Sequence, residues 1–147
     1  MGEPLIGLLA QHKEKLGIDN ISFFKRTPLS DEKGKVEALI RKGAKLVANS
    51  DAKNDFESMG FDVEDLEKSY EENQVIIDCT PSGNKNWDEI YSNLDKDKRF
   101  LAQGSEHGFG PFFAWGINNN VLANIQNKYL IASCNTCLLY TSDAADE

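Results

Sequence analysis

A chain of 147 residues, 40% hydrophobic and 27% charged, fits one soluble domain with a sizeable core. Its net charge of −8 and pI near 4.8 argue against nonspecific nucleic-acid binding, which draws on clustered Lys and Arg. No apolar run approaches the ~18 residues of a membrane span, so neither nucleic acid nor membrane is expected as a partner. In the first fifteen residues the basic side chains follow the apolar run, the reverse of a secretory signal, and a cytoplasmic location is expected.

In chain order, residues 4–16 predict a helix with Pro4 near its first position, a stripe of Leu5, Leu8, Leu9 and Leu16, and Gly17 as stop. Residues 21–24 read as a short buried strand, followed by the basic pair Lys25 and Arg26 and a turn at Thr27 and Pro28. Ser30 is placed to cap a helix running to about Lys42, with Val36, Leu39 and Ile40 inward and Gly43 ending it. A strand is expected over 45–47, a polar helix over 51–59 closing at Gly60, and a helical segment over 63–70. Residues 75–79 give the strongest strand signal, stopped by Thr80, Pro81, Ser82 and Gly83. After it come a helix over 87–94, a strand over 100–102, a loop over 104–110 and a last strand over 129–132.

Strands and helices alternating at these intervals predict an α/β fold with a mainly parallel sheet. Ligands of such sheets bind beyond the carboxyl ends of the strands. Polar clusters fall at three predicted strand ends: Lys25 with Arg26, Thr80 with Pro81, and Ser133 with Cys134 and Asn135. A dinucleotide-binding fold opens on a strand and a Gly-rich turn, whereas this chain opens on a helix. The expected class is therefore an incomplete Rossmann-like, doubly wound sheet lacking its first strand and most of that turn. Gly2 stands where the last glycine of the turn belongs.

Three cysteines, Cys79, Cys134 and Cys137, cannot all pair, and the lone Cys134–Cys137 CxxC spacing has no histidine nearby. A reduced compartment and no metal site are expected. A cysteine where a strand turns into a helix meets free N–H groups and the positive end of the helix dipole, which favour thiolate. Cys134 is thus either a nucleophile or a buried structural cysteine. Cys79, inside an apolar strand, reads as core. Basic residues after the second strand of a dinucleotide fold accommodate the 2′-phosphate of NADP, where an acidic residue would bind the ribose of NAD. Lys25 and Arg26 therefore favour NADP, with NAD open, or are a solvated surface pair. Trp87, Trp115, Phe112 and Phe113 read as packing residues, and His12 and His107 as surface residues.

Ile131 to Thr136 resembles the catalytic S-C-N-T segment of archaeal-type phosphorylating glyceraldehyde-3-phosphate dehydrogenases. Ala102 to Glu106 is similar to that family's Q-G-G-E loop, Asp78 to Pro81 to its D-x-x-P turn, and Lys25 to Pro28 to its basic turn. The four segments stand in family order, so the resemblance covers residues 2–136, a partial NAD(P)-binding domain ending at the catalytic cysteine. It implies NADP or NAD as cofactor, glyceraldehyde 3-phosphate and inorganic phosphate as substrates, and a homotetramer for the intact enzyme. Cys134 would be the nucleophile, with Ser133 and Asn135 contacting substrate. Gly2, Lys25, Arg26, Thr80, Pro81 and Gly104 would border the cofactor, Thr80 and Pro81 being equally readable as a plain strand-ending turn.

Ser105 replaces the family's second glycine, His107 its usual lysine, and Cys137 the second threonine after the nucleophile. The general base and the phosphate site belong to a second domain of the family, so activity is expected of the intact parent and not of these residues alone. Residues 137–147 resemble a translated sequencing adaptor and are set aside as a non-native tail. Two other functions fit the same residues: a related semialdehyde or acyl-phosphate dehydrogenase, and a non-catalytic nucleotide-binding module.

Overall fold

The computed structural model describes residues 2–103 and 106–132, and it is α/β with every strand pair parallel. Hydrophobic patterning marks strands but not their partners, and where one sheet was expected there are two. They belong to two compact units, Met1–Asn73 and Gln74–Glu147. No described helix is long and apolar enough to cross a membrane.

The first unit runs α1 (Gly2–Leu16), β1 (Ser22–Phe24), a 3-10 turn (Ser30–Glu32), α2 (Lys33–Arg41), β2 (Lys45–Ala48), α3 (Ser50–Ser58), β3 (Val63–Asp65) and α4 (Leu66–Glu72). Its sheet has the order β1-β2-β3. The central strand β2 is buried from Leu46 to Ala48, as a strand covered on both faces must be. Phe23, Val36, Leu39, Leu46, Phe56 and Val63 form the core, and Ile6 and Leu9 of α1 pack on it. The inward face of α1 is therefore Ile6, Leu9 and Ala10, while Leu8 and Leu16 of the predicted stripe are exposed. Helix α2 ends in a reciprocal pair of bonds, Gly43 N–H to Ile40 O at 2.8 Å and Ala44 N–H to Leu39 O at 3.2 Å. This Schellman closure needs the left-handed backbone that Gly43 adopts at φ 92°.

Two predicted elements shift. Ser30 lies in the 3-10 turn instead of capping α2, whose N-cap position is Glu32. Residues 63–65, expected to be helical, form β3, because Val63 finds Leu46 of β2 across the ladder. Asp65 then caps α4, accepting from Glu67 N–H at 2.9 Å.

The second unit runs β4 (Val75–Asp78), α5 (Gly83–Glu89), a 3-10 turn (Tyr91–Asn93), β5 (Arg99–Gln103), β6 (Phe112–Phe113), a 3-10 segment (Asn119–Ala123) and β7 (Lys128–Ile131). The sheet order is β4-β5-β7-β6. Helix α5 begins four residues before the expected 87, directly on the turn that stops β4. The core is aromatic: Tyr91 stacks on Phe100 at 5.5 Å, and Trp87 meets Phe100 and Phe109 edge-on at 5.3 and 5.9 Å. The Lys128 ammonium lies 4.0 Å from the centre of the Trp87 ring. Trp115 departs from the packing role expected of it, being 81% exposed.

Candidate functional site

Parallel pairing aligns the strand ends of the second unit. Asp78 of β4 is opposite Ala102 of β5, and Gln103 of β5 is opposite Ile131 of β7. The carboxyl ends of β4, β5 and β7 thus lie side by side, and the turn with Thr80 and Pro81 follows β4 there. Gly104, Ser133, Cys134 and Asn135 themselves lie outside the described residues.

The turn after β4 is built around Asp78, which is only 3% exposed. One carboxylate oxygen accepts from the Thr80 N–H at 2.7 Å; the other accepts from Asn86 Nδ2 at 2.7 Å and the Tyr91 hydroxyl at 3.0 Å. Burying a carboxylate is tolerable when its lone pairs are filled in this way. The Thr80 hydroxyl oxygen accepts from Ser82 N–H and Asn86 Nδ2, both at 3.2 Å, which leaves its own proton to donate. Thr80 and Pro81 are exposed on a turn that four partners hold still.

A second set of bonds ties this turn to the loop after β5. Glu106 Oε2 accepts the Asn84 N–H at 2.8 Å, and Asn84 Nδ2 donates to the His107 carbonyl at 2.9 Å. Gly83 is buried beneath this contact: a Cβ there would stand 3.2 Å from Glu106 Cγ and 3.4 Å from Ala102 Cβ. The absence of a side chain at 83 lets the two loops meet. Sequence alone did not point to Asn84, Asn86 or Tyr91, and it brought in Glu106 only as the last residue of the segment similar to Q-G-G-E. The signal it had was Asp78 two residues before Thr80, the spacing of an Asx turn.

In the first unit, Lys25 and Arg26 follow β1 and are not equivalent. The Lys25 ammonium is paired with Glu32, and that hydrogen bond holds the Glu32 carboxyl below the usual carboxylate range. Arg26 is exposed and, among the described residues, has no ion-pair partner. Gly2 is the first residue of α1. Cys79 is half-buried, short of the core position expected; burial, and then the neighbouring Asp78 charge, push its thiol pKa up, so it is poorly suited to be a nucleophile. Among the described residues no three His, Cys, Asp or Glu side chains gather as a metal site.

Comparison with protein-family models, with curated proteins and with solved structures finds no match for this chain.

Proposed function

We propose that these residues belong to the cofactor-binding half of an NAD(P)-dependent, phosphorylating glyceraldehyde-3-phosphate dehydrogenase, with Cys134 as its nucleophile. The observation that supports this reading is that β4, β5 and β7, the strands that precede in sequence the segments resembling that family's D-x-x-P, Q-G-G-E and S-C-N-T motifs, are adjacent, parallel and in register up to Asp78, Gln103 and Ile131. Strand order supports it as well. A doubly wound sheet ordered 3-2-1-4-5-6 has its first strand in the middle. With that strand absent, the second and third strands are left as one sheet and the fourth to sixth as another, matching β1-β2 and β4-β5-β7. On this reading the fold is a Rossmann-like one without its first strand.

Three of the described residues support this choice of cofactor. Arg26 would offer a 2′-phosphate a guanidinium that has no ion-pair partner among the described residues, Thr80 a hydroxyl proton on a turn fixed by hydrogen bonds, and Gly2 an N-terminal helix position for the pyrophosphate. NADP is preferred to NAD on the strength of Arg26.

In the reaction, the Cys134 thiolate adds to the aldehyde carbon of glyceraldehyde 3-phosphate, forming a C–S bond and a thiohemiacetal. The bound cofactor supplies a hydride acceptor, and loss of hydride leaves a thioester on Cys134. Inorganic phosphate then attacks the acyl carbon, the C–S bond breaks, and 1,3-bisphosphoglycerate departs with the thiolate regenerated. Ser133 and Asn135 hold the substrate during these steps.

The test is to recover the DNA flanking this reading frame and assay the extended protein for NADP-dependent, phosphate-requiring oxidation of glyceraldehyde 3-phosphate. Activity that Cys134→Ser abolishes is expected. A preference for a different aldehyde would move the assignment to a semialdehyde or acyl-phosphate dehydrogenase. Nucleotide binding without any oxidation would favour the non-catalytic module.

A further inference from the structure

The connection from β1 to α2 bears two adjacent cations, Lys25 and Arg26, and the chain already supplies one of them with an anion. Lys25 is held by the sheet: its N–H donates to the Val47 carbonyl at 3.0 Å, one step past the last residue of β1. Further along the connection, Glu32 ends the 3-10 turn and stands at the N-cap position of α2, where its side chain makes no cap bond. Its carboxylate turns to Lys25 instead. One oxygen pairs with the Lys25 ammonium, and the other lies 3.9 Å from the Lys35 ammonium. The paired side chains of Lys25 and Glu32 are only 29% and 25% exposed, so water screens them less than a fully solvated pair. Arg26 is exposed and has no ion-pair partner among the described residues.

A carboxylate and a phosphate monoester make the same demand of an ammonium, a charge-assisted hydrogen bond to an anionic oxygen. Glu32 therefore fills the place on Lys25 that a 2′-phosphate would take. A 2′-phosphate that reaches Lys25 must displace this carboxylate or lie beside it. Either course weakens binding of the phosphorylated nucleotide and leaves an unphosphorylated one untouched.

We propose that Glu32 is a specificity-determining residue, an internal competitor for the Lys25 ammonium that holds down the preference for a 2′-phosphorylated nucleotide. This rests on the reading of the basic turn as a 2′-phosphate site and adds to it a residue that opposes the phosphate. Glu32 touches no reacting atom and acts through Lys25, while Arg26 makes the favourable contact.

Nuclear magnetic resonance titration of the 147-residue protein with adenosine 2′,5′-bisphosphate and with adenosine 5′-monophosphate, followed at the amides of residues 24–27, gives the ratio of the two Kd values. Glu32→Gln, which keeps the side chain's size, should raise the preference for the bisphosphate about threefold. Combined with Lys25→Ala, that gain should fall to less than about half, because no ammonium is left to release. Glu37→Gln removes the same charge from an exposed position of α2 and should leave the ratio at the parent value. Each variant should keep the far-UV circular dichroism of the parent. An unchanged ratio in Glu32→Gln overturns the proposal, as does a full gain without Lys25 or an equal gain from Glu37→Gln. Failure of parent and Glu32→Gln alike to bind the bisphosphate overturns it too, and removes the 2′-phosphate site from the basic turn. The dehydrogenase reading is decided separately, by oxidation that depends on Cys134: the ratio can shift in a protein that oxidises nothing, and oxidation can proceed with the ratio unmoved.

Discussion

Lys25 and Arg26 show how two adjacent residues of one charge come to differ. The Lys25 ammonium already has a carboxylate partner in Glu32, whereas the Arg26 guanidinium has none among the described residues. In the extended protein, Arg26→Ala should weaken NADPH binding about tenfold, or ~1.4 kcal/mol, and leave NADH binding nearly unchanged. Lys25→Ala should cost less, and cofactor fluorescence titration decides; equal losses for both nucleotides would remove Arg26 from any 2′-phosphate role. Cysteine chemistry separates in the same manner. Because the folded state raises the Cys79 pKa above the ordinary 9.0, the neutral thiol is favoured and its contribution to stability is complete below that value. The contribution fades as rising pH ionises the thiol. Iodoacetamide at pH 7.5 should therefore alkylate Cys134 before Cys79, as peptide mass spectrometry would show, and the Cys79 rate should climb only at pH above 9. Faster labelling of Cys79 would count against the assignment of the nucleophile.

The elements that sequence made legible are those whose signals are local. Gly17, Gly43 and Gly60 each close a helix where a stop was expected, with φ of 66°, 92° and 91°. The strand at 75–78 follows from an unbroken run of Val and Ile. Elements set by distant partners were not legible. Val63 to Asp65 become a strand only because β2 lies beside them. Phe112 and Phe113 form β6 through bonds from Leu130 N–H to Pro111 O and from Ala132 N–H to Phe113 O, across a long sequence gap. Gly110 makes that approach possible, since a Cβ there would stand 2.8 Å from the Lys128 carbonyl oxygen and 3.1 Å from its carbon. Backbone cannot rotate away as a side-chain tip can. Gly110→Ala should destabilise the protein by about 1–3 kcal/mol, visible as a lower denaturant midpoint, whereas Gly34→Ala, with open space around it and a helical position, should be neutral or stabilising. If the two variants melted alike, the close approach of 110 to β7 would be wrong.

For the whole molecule, sequence conveyed the α/β class and the parallel pairing but not the division into two sheets. Alternation of strands and helices specifies crossover connections, and a crossover is satisfied whether its strands share one sheet or two. The candidate site divides along the same line. Lys25, Arg26, Thr80 and Pro81 follow β1 and β4 as expected because strand ends are legible, while the Asp78, Asn86 and Tyr91 bonds that fix the turn depend on side chains brought together by the fold. Both sheets end in an apolar edge strand: Phe24 of β1 is 43% exposed and Val75 of β4 is 51% exposed. If the Rossmann-like reading holds, a strand and Gly-rich turn supplied ahead of Gly2 would pair in parallel with both β1 and β4 and cover these residues. Each newly paired edge exchanges exposed backbone groups and apolar surface for a ladder buried on both faces. The extended protein should then melt at least roughly 3 °C higher by calorimetry, equivalent to about 1 kcal/mol for a domain of this size. Amide exchange at Phe23 and Ile76 should slow with it. A melting temperature that does not rise, with exchange at both strands as fast as before, would mean that β1 and β4 are finished edges and that the two sheets were never halves of one.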